Sequence, residues 1–328
     1  MQQGQRRSFL VFRVAPIVCA TVLVGCVSEQ SMLHPAGEDA AAAANLFWVM
    51  AAGTVVIWLI VMGITVYAVL GKKRPTTERF ADRFILIGGV AFPTITLAAL
   101  LIFGLALLPD WVRSDRPDLR VHITAEQYWW RVAYELPDGA LVNTANELHL
   151  PAGQTAEFVL TSTDVIHSFW IPSLGGKMDV IPGRTNLWRL RPTEAGVFRG
   201  VCAEFCGPSH ALMAFPVVVH KPASFESWLA GEAAGIEEKE AHALFVSAGC
   251  AACHAVRGTN AGGAVGPDLT HFAGRRTMAA GTLPINAESL QSWLIDPSHH
   301  KPDVRMPGYA SLEAAERDAL VSYLLDLK

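Results

Sequence analysis

Hydrophobic positions change their spacing several times along the chain, and each change predicts a different element. Val14 to Val24 is a short apolar run behind Arg6, Arg7 and Arg13. It is too short to span a bilayer and reads as a secretory signal over residues 1–25. Leu46–Leu70 and Phe84–Leu108 then run for 25 positions each without a charge. At about 1.5 Å per residue each covers roughly 37 Å, enough to cross a hydrocarbon core of about 30 Å. They predict a transmembrane helical hairpin over 45–109, preceded by a linker over 26–44. From Asp118 to Pro222 the pattern becomes alternation, with Val121 and Ile123, then Phe158 and Leu160, then Val217-Val218-Val219. Pro151, Gly153, Pro172, Gly175-Gly176 and Pro182-Gly183 punctuate it, which predicts several short strands in a β-sandwich. An alanine-rich linker over 223–236 leads to a last unit, 237–328, that ends in an amphipathic helix from about Leu312 to Leu325.

Composition now has a location. The 328 residues are 51% hydrophobic and only 17% charged, against about 25% charged in an ordinary domain; the apolar runs account for the difference. The balance of 26 basic and 30 acidic residues provides no field that would recruit nucleic acid. Lys72, Lys73, Arg74, Arg79 and Arg83 crowd the connection between the two spans, which puts loop 71–83 in the cytoplasm and everything after Leu108 outside. The ending Leu23-Val24-Gly25-Cys26 resembles a bacterial lipoprotein signal, which implies that Cys26 becomes the lipidated first residue. Arg6-Arg7-Ser8-Phe9-Leu10 also looks like a twin-arginine export signal.

The β region closes on Cys202-Ala-Glu204-Phe-Cys206-Gly-Pro-Ser-His210-Ala-Leu-Met213, with His167 upstream. Thiolate and thioether ligands are soft, and together with imidazole they suit copper. Two cysteines four residues apart allow two sulfurs to bridge two metals, with one histidine for each. A disulfide between Cys202 and Cys206, which export permits, and a Cys₂His₂ zinc site use the same residues. The disulfide leaves the spacing of His210 and Met213 unexplained, and Met213 argues against zinc.

This stretch resembles the dinuclear copper-A site of cytochrome c oxidase subunit II, whose pattern Cys-x-Glu-x-Cys-Gly-x-x-His-x-x-Met is matched at every fixed position. His167-Ser-Phe-Trp-x-Pro and Lys177-Met178-Asp179 through Pro182-Gly183-Arg184 are similar to the same family. The resemblance implies a cupredoxin-like Greek-key sandwich. It also implies a copper pair held by His167, Cys202, Cys206, His210 and Met213, with the carbonyl of Glu204 as a weak ligand. The Glu204 side chain would reach a magnesium or manganese ion shared with subunit I. Within Tyr128-Trp129-Trp130, the resemblance gives Trp130 the role of receiving electrons from a donor.

In the last unit, Cys250-Ala-Ala-Cys253-His254 is the c-type haem attachment motif: two thiols add to the haem vinyl groups and the imidazole takes one face of the iron. A redox Cys-x-x-Cys or half of a zinc site would also use a cysteine pair, but no second pair follows. Arg305-Met306-Pro307-Gly308-Tyr309 resembles the class I cytochrome c pattern and makes Met306 the sixth iron ligand, with Met278 the other candidate. Gly266-Pro267-Asp268-Leu269 is similar to the loop in which the proline carbonyl, here that of Pro267, receives the ring N–H of His254. His271, His299 and His300 read as surface histidines. Cys19, within the apolar signal run, reads as a small hydrophobe.

The whole resembles subunit II of a caa3-type oxidase with a fused all-α cytochrome c domain. That resemblance implies an electron relay: from a reduced cytochrome c to one covalent haem c, to the copper pair, and on to subunit I, with subunit III a further partner. The oxygen-reducing site would lie in subunit I. A copper-A nitric oxide reductase partner and a membrane-anchored copper carrier are the competing expectations. One departure from the family stands out. The last acid before the second span is Asp82, so no residue is assigned to the mouth of a proton pathway.

Overall fold

The computed structural model describes residues 28–71, 77–106, 116–237 and 241–328. The signal segment with Cys19 and Cys26, the basic triplet Lys72–Arg74 and the end of the second expected span at 107–108 lie outside the described residues.

Residues Ala41–Arg116 form one compact unit. Helix α1 (Glu38–Leu70) starts eight residues before the expected apolar run. Ala40–Ala44 are strong helix formers, and Glu38 and Asp39 sit in the first turn, where acids complement the helix dipole. A second continuous helical stretch of 29 residues runs from Glu78 to Ala106. It is built of α2 (Glu78–Ile85), a π-helical turn (Leu86–Ala91) and α3 (Phe92–Ala106). In the wide turn the Phe92 N–H reaches back to Ile87 O, next to Pro93, which has no N–H of its own to continue the ladder. Both stretches are long and apolar enough to cross a membrane, with mean hydropathies of 2.4 and 2.3.

The other unit carries the two exported domains. The first has ten strands: β1 (Leu119–Glu126), β2 (Trp129–Glu135), β3 (Leu141–Ala145), β4 (Leu148–Pro151), β5 (Ala156–Ser162), β6 (His167–Trp170), β7 (Lys177–Val180), β8 (Asn186–Leu190), β9 (Gly196–Cys202) and β10 (Ala214–His220). They form two five-stranded sheets, ordered β3-β2-β1-β5-β8 and β4-β10-β9-β6-β7, in a cupredoxin-like arrangement. Parallel pairing of β1 with β5 and of β4 with β10 provides the crossovers. Register follows the side-chain period of two: Leu119, Val121, Ile123 and Ala125 are buried, and Val121 sits opposite both Tyr134 and Phe158. Phe158, Phe169, Phe215 and Trp130 fill the space between the sheets.

The stretch expected only to link the domains contains α4 (Pro222–Ala233), with Pro222 in its first turn, where a missing N–H costs nothing. Phe225 is buried against the sandwich core, and Trp228 stacks on His149 with ring centres 3.9 Å apart and 3° between planes. The residues there are small on average, yet two aromatics are enough to dock the helix.

The second exported domain has its own core, centred on Phe245, Leu290, Leu294, Leu320, Tyr323 and Leu324. Its helices are α5 (His242–Ser247), α6 (Ala287–Ile295), α7 (Pro297–His300) and α8 (Ala314–Leu325). The C-terminal helix starts at a reciprocal capping box between Glu313 and Glu316. His242 is buried and serves structure, with Nδ1 2.8 Å from Tyr323 Oη and Nε2 2.7 Å from Asn260 Oδ1.

Candidate metal centre and haem pocket

The copper-type residues come from three parts of one sheet. His167 opens β6, Cys202 closes β9, and the loop between β9 and β10 carries Cys206, His210 and Met213. Antiparallel pairing places Phe169 opposite Cys202. The Cys202 N–H donates to Met213 O at 2.9 Å and the Ala203 N–H to Ser168 O at 2.9 Å, so both ends of the loop are tied to strands. Inside it, Gly207 has φ +130°, and a Cβ there would lie 2.4 Å from Tyr128 Oη; the turn needs glycine both for its backbone and for its closeness to Tyr128.

The donor atoms face one another. Cys202 Sγ and Cys206 Sγ are 3.9 Å apart, too far for a disulfide at about 2.05 Å, and both cysteines are free. His167 Nδ1 lies 3.8 Å from Cys202 Sγ, and His210 Nδ1 lies 3.7 Å from Cys206 Sγ. Met213 Sδ is 3.9 Å from Cys206 Sγ, and the Glu204 carbonyl oxygen is 3.2 Å from Cys202 Sγ. His167, Cys202 and Cys206 form a buried cluster that could hold a metal ion, their donor atoms all within 4.8 Å of one another. His210 stands outside that cluster and faces its own sulfur. Each thiol thus has one imidazole beside it.

Electrostatics favours ionisation of one sulfur of the pair. The hydrogen bond from Cys206, aided by His167 and main-chain groups, holds the Cys202 thiol well below its ordinary range despite burial. The hydrogen bond to Cys202, burial and the charge on Cys202 hold Cys206 well above its own. Burial pushes His167 down, but Cys202 and Asp164 outweigh it, so its pKa is raised. Asp164 Oδ1 is 2.8 Å from His167 Nε2, and its other oxygen accepts the Gln127 N–H at 2.7 Å. Sequence reading missed Asp164; its position three residues before a candidate ligand histidine was the available signal, since such rings are usually oriented by a carboxylate. The Glu204 carboxylate is half-exposed and lies 3.7 Å from Lys177 Nζ.

Trp130 lies inside the sandwich. It is 1% exposed and edge-on to His167, Phe169 and Phe215. The register of β2 explains the placement: Trp130 and Val132 point into the core while Trp129 and Arg131 point away. Trp129 carries Arg131 over its ring at 4.7 Å.

In the second domain, Cys250, Cys253, His254, Pro267 and Met306 line one cavity, and Met278 borders it as well. His271, His299 and His300 stand outside that lining. Burial lowers the pKa of His254 and keeps it neutral. Its Nδ1 is 2.8 Å from Pro267 O, which fixes the N–H on Nδ1 and leaves Nε2 as the lone-pair nitrogen. Met306 Sδ accepts the Trp293 Nε1–H at 3.2 Å. A further wall of the cavity comes from the first domain, including Gln127, Tyr128 and Trp129, so the candidate haem pocket and the metal-site loop share Tyr128. These residues fit a covalently held haem: two cysteines, a neutral oriented imidazole and a thioether converge on an apolar space.

Comparison with known proteins agrees with this division. Residues 120–221 match the family described as cytochrome c oxidase subunit II, periplasmic domain, and residues 239–328 match cytochrome c. Cytochrome c oxidase subunit 2 of Alkalihalophilus pseudofirmus is 33% identical over 96% of this chain and 97% of its own length. The Bacillus subtilis protein of the same name is 38% identical over 66% of this chain and 64% of its own, and that of Bacillus sp. strain PS3 is 37% identical over 74% and 71%. With likeness running nearly end to end and through both exported domains, the chain belongs to the cytochrome c oxidase subunit II family and carries a fused cytochrome c domain.

Proposed function

We propose that the chain is subunit II of a caa3-type oxidase, relaying electrons from a reduced cytochrome c through its own haem c to a copper pair and on to subunit I. The electron-relay role within a haem-copper respiratory oxidase follows from the family; reduction of oxygen belongs to another subunit. The observation that carries the finer reading is the facing of two free thiols, each with its own imidazole. When bound, a thiolate-bridged copper pair and a covalent haem supply one-electron carriers that need little ligand movement between oxidation states.

The residues divide the work. Cys202, Cys206, His167 and His210 would hold the copper pair, with Met213 and the Glu204 carbonyl as weaker ligands. Cys250 and Cys253 would attach the haem, His254 and Met306 would ligate its iron, and Pro267 orients His254 through its carbonyl. The Glu204 side chain would serve a magnesium or manganese ion shared with subunit I. The hairpin of α1 to α3 anchors the chain in the inner membrane with both redox domains outside and loop 71–83 in the cytoplasm. Cys26 is lipidated, and subunit III completes the enzyme.

The test is electron paramagnetic resonance with metal analysis on the purified oxidase. A delocalised two-copper signal that Cys206→Ser abolishes, together with one covalent haem per chain that Cys253→Ser removes, supports the reading. A single exchangeable copper, or zinc, overturns it.

A further inference from the structure

Residues 301–306 of the cytochrome domain run across the copper-domain loop and end on Met306. Lys301 is 2% exposed; its Nζ donates to the main-chain carbonyl of Tyr128 and to that of Ala279, the latter at 3.3 Å. Asp303 accepts the Tyr128 hydroxyl on Oδ2 at 3.0 Å. Between them, Pro302 O accepts the hydroxyl of Ser209, the neighbour of His210. Arg305 lies 3.7 Å from Asp164, the carboxylate that holds His167. Tyr128 itself is 1% exposed, and burial together with the bond to Asp303 pushes its hydroxyl up to about 12, so it remains a donor at neutral pH. Asp303 adopts φ +64°, a left-handed backbone that Asp tolerates better than most residues.

We propose that Lys301 and Asp303 are positioning residues that grip Tyr128 from both sides, by its carbonyl and by its hydroxyl, and thereby fix the cytochrome domain on the copper domain for electron transfer within the chain. The inference rests on the relay reading above. The transfer moves one electron and no atom: the haem side is oxidised by one electron and the copper side reduced by one, so its rate depends on how the two domains are held. A segment that grips Tyr128 and also carries the candidate iron ligand Met306 couples domain position to the haem pocket in six residues. The bond from the Tyr128 hydroxyl to the Asp303 carboxylate is charge-assisted, and such bonds are the stronger ones, while Lys301 makes its contact from a buried position.

Two amides that make no bond to Lys301, Asp303 or Tyr128 report on docking. The Ala214 N–H donates to Ala280 O at 3.2 Å and the Arg276 N–H to Glu147 Oε2 at 2.7 Å, each across the domain boundary. In the intact oxidase, Asp303→Gly keeps the left-handed backbone and removes the acceptor, while Tyr128→Phe removes the donor. Each is expected to speed hydrogen exchange at Ala214 and Arg276 about tenfold, the loss of one charge-assisted bond, and the double variant to add nothing more. Asp303→Asn keeps both the backbone and an acceptor and restores slow exchange. In Lys301→Met/Asp303→Gly, with both holds gone, flash-initiated transfer from haem to copper slows fivefold or more while both optical spectra stay as in the parent. Unchanged exchange in Asp303→Gly and Tyr128→Phe, with a normal two-copper signal, overturns the grip and leaves the relay standing. Absence of that signal in the parent oxidase overturns the relay and the grip with it.

Discussion

Asp164 Oδ1 lies 2.8 Å from His167 Nε2, while the other nitrogen of the same ring faces Cys202 Sγ at 3.8 Å. The carboxylate therefore fixes which nitrogen carries the proton and turns Nδ1 toward the cysteines as the candidate ligand nitrogen. Asp164→Asn keeps the shape but can turn its amide either way, so the tautomer is no longer dictated. Loss of such a partner costs about 10- to 100-fold in metal affinity. Competition against a copper chelator, with the Asn variant and the parent side by side, reads this directly; equal affinities refute the role.

Much of this centre was legible in the chain. The loop residues from Cys202 to Met213 lie within 12 positions, and a loop tied at both ends to strands keeps such neighbours together. His167 is 35 residues from Cys202, but strand pairing brings it back beside that thiol. What could not be read came from contacts between elements with no local signature. Tyr128 and Asp303 are 175 positions apart, and nothing in either neighbourhood announces the other. Tyr128, Trp129 and Trp130 look alike in sequence, and only the fold shows that the first and last are buried while Trp129 stands at the surface of its strand. The helix over Pro222–Ala233 was hidden because small residues describe a linker and a helix equally well.

Gly266 stands directly beside the candidate iron ligand. A Cβ there would lie 2.6 Å from His254 Cε1 and 2.8 Å from its Nδ1. Gly266→Ala must push the ring off Pro267 O, since the loop is held by the Gly266 N–H to Cys253 O bond at 2.7 Å. Overpacking of this sort costs about 1–3 kcal/mol. The expected outcome is an oxidase with less low-spin haem c per chain and an unaltered copper signal. A variant with full haem content and a parental spectrum contradicts the argument.

Trp228 holds α4 to the sandwich by stacking on His149, whose own Nδ1 and Nε2 are taken by His220 at 2.7 Å and Glu147 at 2.8 Å. Trp228→Ala removes the plate from one side of this histidine pair. Because Trp228 is only partly buried, a loss of about 2 kcal/mol is expected, below the usual cost for a fully buried Trp. Thermal unfolding of the purified oxidase measures it. The two-copper signal of the folded variant is expected to be unchanged, as the stack makes no contact with the cysteine loop.

Glu157 contributes to the acid sensitivity of the sandwich. It is 1% exposed, yet Arg120 reaches Oε1 at 2.9 Å and Arg189 reaches Oε2 at 2.7 Å. Burial pushes the carboxyl up, and the two guanidinium groups outweigh it, holding the folded-state pKa below 4.5. A carboxylate depressed in the folded state stabilises it above its unfolded pKa, and that contribution disappears as pH falls through the folded value. Stability should therefore be level near pH 7 and decline below about pH 4.5, where the unfolded chain starts to take up a proton that the folded chain still refuses. Glu157→Gln removes the charge and leaves two half-exposed arginines that water can solvate, so the expected cost at pH 7 is about 1–3 kcal/mol. The same variant should lose part of the acid decline. Denaturant midpoints measured between pH 3 and pH 7 test both: an equal pH slope in variant and parent places the acid sensitivity on another carboxylate.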